Sequence, residues 1–100
     1  MPRAIVLHPT DNVATLIDPG RAGETCTLSG VASRGAQILR LASDTPFGHK
    51  ICLADIASGA PVLKYGQVIG RASRAVRAGD HVHTHNVEAA RGRGDQPSRS

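Results

Sequence analysis

Aromatic side chains are almost missing from this chain: it has one Phe (Phe47), one Tyr (Tyr65) and no Trp in 100 residues. That scarcity removes the stacking platform on which single-stranded nucleic acid is held. It also leaves Val, Ile, Leu and Ala to build the core. Cysteine is nearly as scarce. Cys26 and Cys52 match no CxxC pattern and read as small buried hydrophobes of a reducing compartment. No run approaches the ~20 apolar residues of a membrane span. No sustained apolar segment stands behind a basic start in residues 1–20. The expectation is a soluble, cytoplasmic chain with no membrane partner.

Length points to one small domain with a modest core, burying roughly 60–65% of its unfolded surface. Eleven Gly and six Pro imply many turns. The formal charge is +4, and residues 30–80 hold seven basic against three acidic side chains. There is no dense Lys/Arg stripe, so a nucleic-acid partner is not expected. A small acidic substrate suits the mild local excess better.

Short β-branched segments alternate with turn residues along the chain. Ala4–His8 and Val13–Ile17 read as strands, separated by the turn pair Asp11-Asn12. Asp18-Pro19-Gly20 breaks the second. Residues 23–29 alternate in part, as a half-buried strand does. The stretch 30–35 reads as a turn or loop, and 36–42 as a strand in preference to two uncapped helical turns. Further strands are expected over Lys50–Ala54, Val62–Tyr65, Val68–Ala72 and His81–Asn86. Gly70, inside one of them, signals a bulge or a close backbone approach. No convincing internal repeat is expected. The result is an all-β fold of about eight short strands over residues 1–87. A polar Gly/Arg tail over 88–100 is expected to be disordered. Its Arg93-Gly94-Asp95 reads as a chance match.

Chemistry concentrates between Gly48-His49-Lys50 and His81-Val82-His83-Thr84-His85-Asn86. On a strand, His81, His83 and His85 share one face. Alternate imidazoles suit a divalent transition metal, an anion, general acid–base work near neutrality, or simply a solvated polar face. His49-Lys50 makes a cationic spot for a carboxylate or sulfonate, and Gly48 lets a ligand approach the backbone. Alternation sends His49 and Lys50 to opposite faces. Asp55 reads as a turn aspartate, Tyr65 as core or rim, and Arg71, Arg74 and His8 as weaker candidates. There is no Ser-His-Asp or Cys-His arrangement, phosphate loop or dinucleotide fingerprint.

The ordered run Pro46-Phe47-Gly48-His49-Lys50-Ile51, Asp55-Ile56, Gly59, Val62, Lys64-Tyr65-Gly66, Val68-Ile69-Gly70-Arg71-Ala72, Gly79 and His81 to Asn86 resembles the SAF-type small module of the altronate/galactarate dehydratase family. The resemblance covers residues 4–87. It implies an SAF-type β-clip fold. It implies the small subunit of a two-subunit lyase that eliminates water or sulfite from a sugar-acid-like or sulfonated hydroxy-acid anion. The partner would be a large lyase subunit, and a homo-oligomer stays open. The resemblance also implies a divalent metal, iron first, held mainly by that large subunit. Carried over residue by residue, it makes His83 and His85 catalytic or metal-binding, and His49, Lys50 and Asn86 substrate-binding. Cys52, where an aliphatic residue or Ala is common, and the Arg/Gly tail depart from the family pattern without touching these motifs. The rival expectation is a non-catalytic carbohydrate- or anion-binding module of the same fold.

Overall fold

The computed structural model describes residues 1–30 and 38–89. The β-branched segments form nine short strands there, and no helix occurs among the described residues. They are β1 (Arg3–Val6), β2 (Val13–Leu16), β3 (Thr25–Gly30), β4 (Ile38–Arg40), β5 (Lys50–Cys52), β6 (Pro61–Lys64), β7 (Gln67–Ala72), β8 (His81–Val82) and β9 (Val87–Ala89). Six of them make one sheet in the order β4-β3-β1-β2-β5-β8, and β6-β7-β9 make a second. Among the described residues only β1 and β3 pair in parallel; the other ladders are antiparallel.

Strand alternation on β2 and β5 divides the interior in two. Ala14 pairs with Ile51, and Val13 with Cys52. The first pair joins Ala4, Val6, Leu16, Cys26, Leu28 and Leu41 in one aliphatic core. The second joins Ile56, Val62, Ala72, Val76 and Val82 in the other. Both cysteines are free and buried, as small hydrophobes. Burial pushes the Cys52 thiol up to about 11.

The loops between the strands hold two copies of one turn pair. In the first, Gly20 and Thr45 exchange backbone hydrogen bonds of 2.9 and 2.8 Å; in the second, Val76 and Ile56 do so at 2.9 and 2.7 Å. The Gly23 amide donates to the Leu41 carbonyl at 2.8 Å, and the Gly79 amide to the Cys52 carbonyl at 2.8 Å. Asp44 accepts from the Ala22 amide at 2.8 Å, and Asp55 from the Ala78 amide at 2.9 Å. The Arg21 amide donates to Glu24, and the Arg77 amide to Asp80. Arg21-Ala22-Gly23-Glu24 thus matches Arg77-Ala78-Gly79-Asp80. Glycine is required at this place because its φ is +89° at Gly23 and +93° at Gly79.

This repeat corrects the expectation that there is none. Residues 16–24 correspond to 72–80, and 41–50 to 52–61. The limbs come in mirrored order along the chain, so no single period relates them.

Three other expectations change. The strand predicted through His81–Asn86 stops at Val82, and residues 83–86 form a turn. Tyr65 sits in a turn at φ +58° instead of ending a strand, where Asp11 accepts from the amides of Tyr65 and Gly66. β9 carries ordered pairing to Ala89. The rest of the tail, 90–100, and the predicted loop from residue 31 lie outside the described residues. The Gly70 reading holds on both counts. A Cβ there would stand 2.3 Å from the Glu88 carbonyl oxygen, and the β6–β7 register slips beside it.

Candidate functional site

The β5–β8 ladder builds the site. Lys50 is opposite Val82, and Ile51 opposite His81. The same register carried one step outward sets His49 opposite His83, whose rings stack at 4.6 Å between centroids. His49 and His81, diagonal neighbours across that pair, join through Nδ1 and Nε2 at 2.9 Å, one ring donating and the other accepting. His81 and His83 stack at 5.6 Å. Strand parity therefore carries past the end of β8: His49, His81 and His83 share one face and Lys50 takes the other.

Asn86 makes the turn after β8. It is buried; its Oδ1 accepts from the His83 amide and its Nδ2 donates to the His81 carbonyl, both at 2.9 Å. An Asn so placed satisfies two backbone groups left over where the ladder ends. Predicted to touch substrate, it is placed under the histidine turn, with its polar atoms committed to the backbone. His85 is exposed at the turn, its ring 5.4 Å from that of His81. It stands apart from the trio His49, His81 and His83, whose ligand nitrogens lie within 4.8 Å of one another.

On the other face of the ladder is a cavity of about 190 Å³ lined by Lys50, Ile69, Val82, His83, Thr84, Val87 and Ala89. His83 is common to the cavity and the histidine group. Ile69, Val82 and Val87 belong to the second core or pack against it, so the cavity has an apolar wall and a cationic one. Among the described residues no carboxylate lies within ion-pair distance of Lys50 or Lys64. Burial lowers the pKa of Lys50, and the charge of Lys64 lowers it further. Thr15, opposite Lys50 on β2, has a buried hydroxyl with no hydrogen-bond partner among the described residues. His81 is also held below its usual pKa, first by burial and then by His49, His85, His83 and Lys50. His81 thus sits among other bases, beside a cation that has no carboxylate partner among the described residues.

Such a site is suited to bind an anion at Lys50 and to offer imidazole nitrogens next to it. Its donors are nitrogens without a carboxylate, which fits a borderline transition ion such as iron and not Mg²⁺ or Ca²⁺.

The altronate/galactarate dehydratase SAF-domain model matches residues 2–90. The chain belongs to that family. It is 40% identical over 83 residues to an altronate dehydratase of Escherichia coli (strain K12), a match covering 83% of this chain and 16% of that protein. It is 46% identical over 46 residues to a (2R)-sulfolactate sulfo-lyase subunit alpha of Chromohalobacter salexigens, covering 46% of this chain and 49% of that one. A galactarate dehydratase (L-threo-forming) of Escherichia coli is 37% identical over 79 residues. The SAF chain therefore spans about a sixth of the dehydratases it matches and about half of the sulfo-lyase subunit. The all-β architecture agrees with the SAF β-clip expected from the sequence motifs.

Sequence reasoning took in His49, Lys50, His83 and His85 but underrated three things. Lys64 is the second cation beside Lys50. His81 is the hinge of the histidine group and not merely one of a row. The wall made by Ile69, Val87 and Ala89 had no signal beyond hydrophobicity, because it needs the β6-β7-β9 sheet folded against β8.

Proposed function

We propose that this SAF chain is the small component of a two-component lyase. It eliminates water or sulfite from a sugar-acid-like or sulfonated hydroxy-acid anion. The observation that carries this reading is the cavity where Lys50, without a carboxylate partner among the described residues, stands beside His83. An unneutralised, half-buried ammonium is held at a cost unless an anion joins it. Similarity to altronate and galactarate dehydratases and to sulfolactate sulfo-lyase subunits supports a hydroxy acid as that anion. Elimination needs a base for the proton alpha to the carboxylate and an acid at the leaving group. Lys50 holds the acid group, and the imidazoles of His83, which lines the cavity, and of His85, exposed on the same turn, handle protons. A divalent transition ion, when bound, supplies Lewis-acid polarisation of a hydroxyl. The remaining site residues come from a large subunit, so the isolated chain is inactive.

Reconstitution tests this. The chain is mixed with a large lyase component of the same family and supplied with altronate, galactarate or sulfolactate. Turnover is expected only with both components. Lys50→Ala is expected to raise KM more than it lowers kcat, and the double variant His83→Ala/His85→Ala to abolish most turnover. Robust activity of the chain alone would sink the division of labour. Full turnover in the double variant would mark a non-catalytic anion-binding module instead.

A further inference from the structure

We infer that His49, His81 and His83 form a binding site for a first-row transition dication, carried by this chain itself. Among the described residues they are the one group of three or more His, Cys, Asp or Glu side chains that brings a ligand atom from each within 4.8 Å of the others. The inference adds to the lyase reading without depending on it, since binding is read on the chain alone.

The donor set consists of imidazoles. It suits Fe²⁺, Co²⁺, Ni²⁺, Zn²⁺ or Cu²⁺, and disfavours the oxygen-seeking Mg²⁺ and Ca²⁺. Two ligand nitrogens on one tetrahedral ion, each bound at ~2.0–2.1 Å, stand roughly 3.4 Å apart. The His49 and His81 nitrogens, at 2.9 Å, already approach that spacing. His83 is the exposed member. A side-chain movement of about an ångström closes the set on such an ion.

The backbone that carries the three rings is held from outside the group. The Leu16 amide donates to the His49 carbonyl at 2.9 Å, fixing His49 at the start of β5. His81 lies in the β5–β8 ladder. Asn86 holds the amide of His83 and is a positioning residue. Three protein ligands leave a coordination place open, as catalytic sites do and structural ones do not. His83 also borders the Lys50 cavity, so an ion on these nitrogens lies next to the proposed anion pocket.

The test is a titration of the 100-residue chain with Co²⁺, followed by visible absorption, and with Zn²⁺, followed by calorimetry. One ion per chain is expected, with a Co²⁺ ligand-field band, and no response to Mg²⁺. His49→Ala, His81→Ala and His83→Ala should each weaken binding by roughly tenfold or more, at least the loss seen when a supporting second-shell partner is removed. His8→Ala, whose ring is bonded to Thr10, should leave it unchanged. Thermal unfolding verifies that each variant is folded. If an alanine variant unfolds, ring-proton shifts in the unaltered chain decide. Zn²⁺-induced shifts at His49, His81 and His83 support the site. Shifts confined to His8 or His85 overturn it. So does the absence of stoichiometric binding, or binding that survives all three substitutions.

Discussion

Gly48-His49-Lys50 and Gly59-Ala60-Pro61 occupy the same place in the two turn pairs. The Leu16 amide donates to the His49 carbonyl, and the Ala72 amide to the Ala60 carbonyl, both at 2.9 Å. The Gly48 amide donates to Leu16, and the Gly59 amide to Ala72. The backbone does not distinguish the copies; the side chains do. One copy presents an imidazole and an ammonium, and the other a methyl group and a proline ring. The difference teaches that the turn pair is a scaffold, and that the imidazole and ammonium sit on the copy whose ladder meets β8. Across that ladder stand His81 and His83. Pro61 has only Arg71 opposite, whose guanidinium is tied to the Gly59 carbonyl.

The sharpest way to break the equivalence is at its glycines. Gly79→Ala should destabilise the chain by about 3–5 kcal/mol, because a Cβ there overlaps the Arg40 carbonyl oxygen at 2.3 Å on top of the positive-φ penalty. Gly23→Ala has nothing within 4 Å of the new Cβ and should cost only the backbone penalty, about 1–2 kcal/mol. Urea denaturation of both variants measures the gap; equal losses would mean that the close approach at Gly79 carries no weight.

Asn86 comes next. Asn86→Ala strands the His83 amide and the His81 carbonyl, for a loss of roughly 2–4 kcal/mol. The ring contacts among the histidines should dissolve with it, seen as averaging of their ring-proton resonances. A smaller effect is expected from making the histidine-bearing copy resemble its counterpart. His49→Ala reproduces Ala60 on the same backbone and should change stability by about 0.5 kcal/mol or less, while weakening metal binding.

The smallest effect is in pH. His81 is held below its ordinary value of 6.5, first by burial. The unfolded chain therefore binds that proton more readily, and stability rises with pH. The His81 contribution is complete above 6.5 and is lost as pH falls through the lower folded value. Denaturation midpoints from about pH 5 to 8 should show this slope, and His81→Gln should flatten it. A slope unchanged in that variant would assign the effect to another histidine.

Period-two alternation and punctuation by Gly, Pro and Asp were enough to predict short strands, two buried thiols and opposite faces for His49 and Lys50. These are local properties, set by backbone sterics and the pleat. Parity also put His81 and His83 on one side, since a strand end does not reverse the side its last residues face. The order of motifs from Gly48 to Asn86 carried the family. What local pattern could not carry was distance. His49 reaches His81 because the β5–β8 register is fixed by the two cores that Ile51, Cys52 and Val82 help fill, and those cores form only when distant strands pack. The same packing turned Asn86 inward and closed the apolar wall against Lys50. It also matched two turn pairs whose mirrored order hides them from any periodic reading. Local sterics chose the strands and their faces; long-range pairing and burial chose which side chains meet.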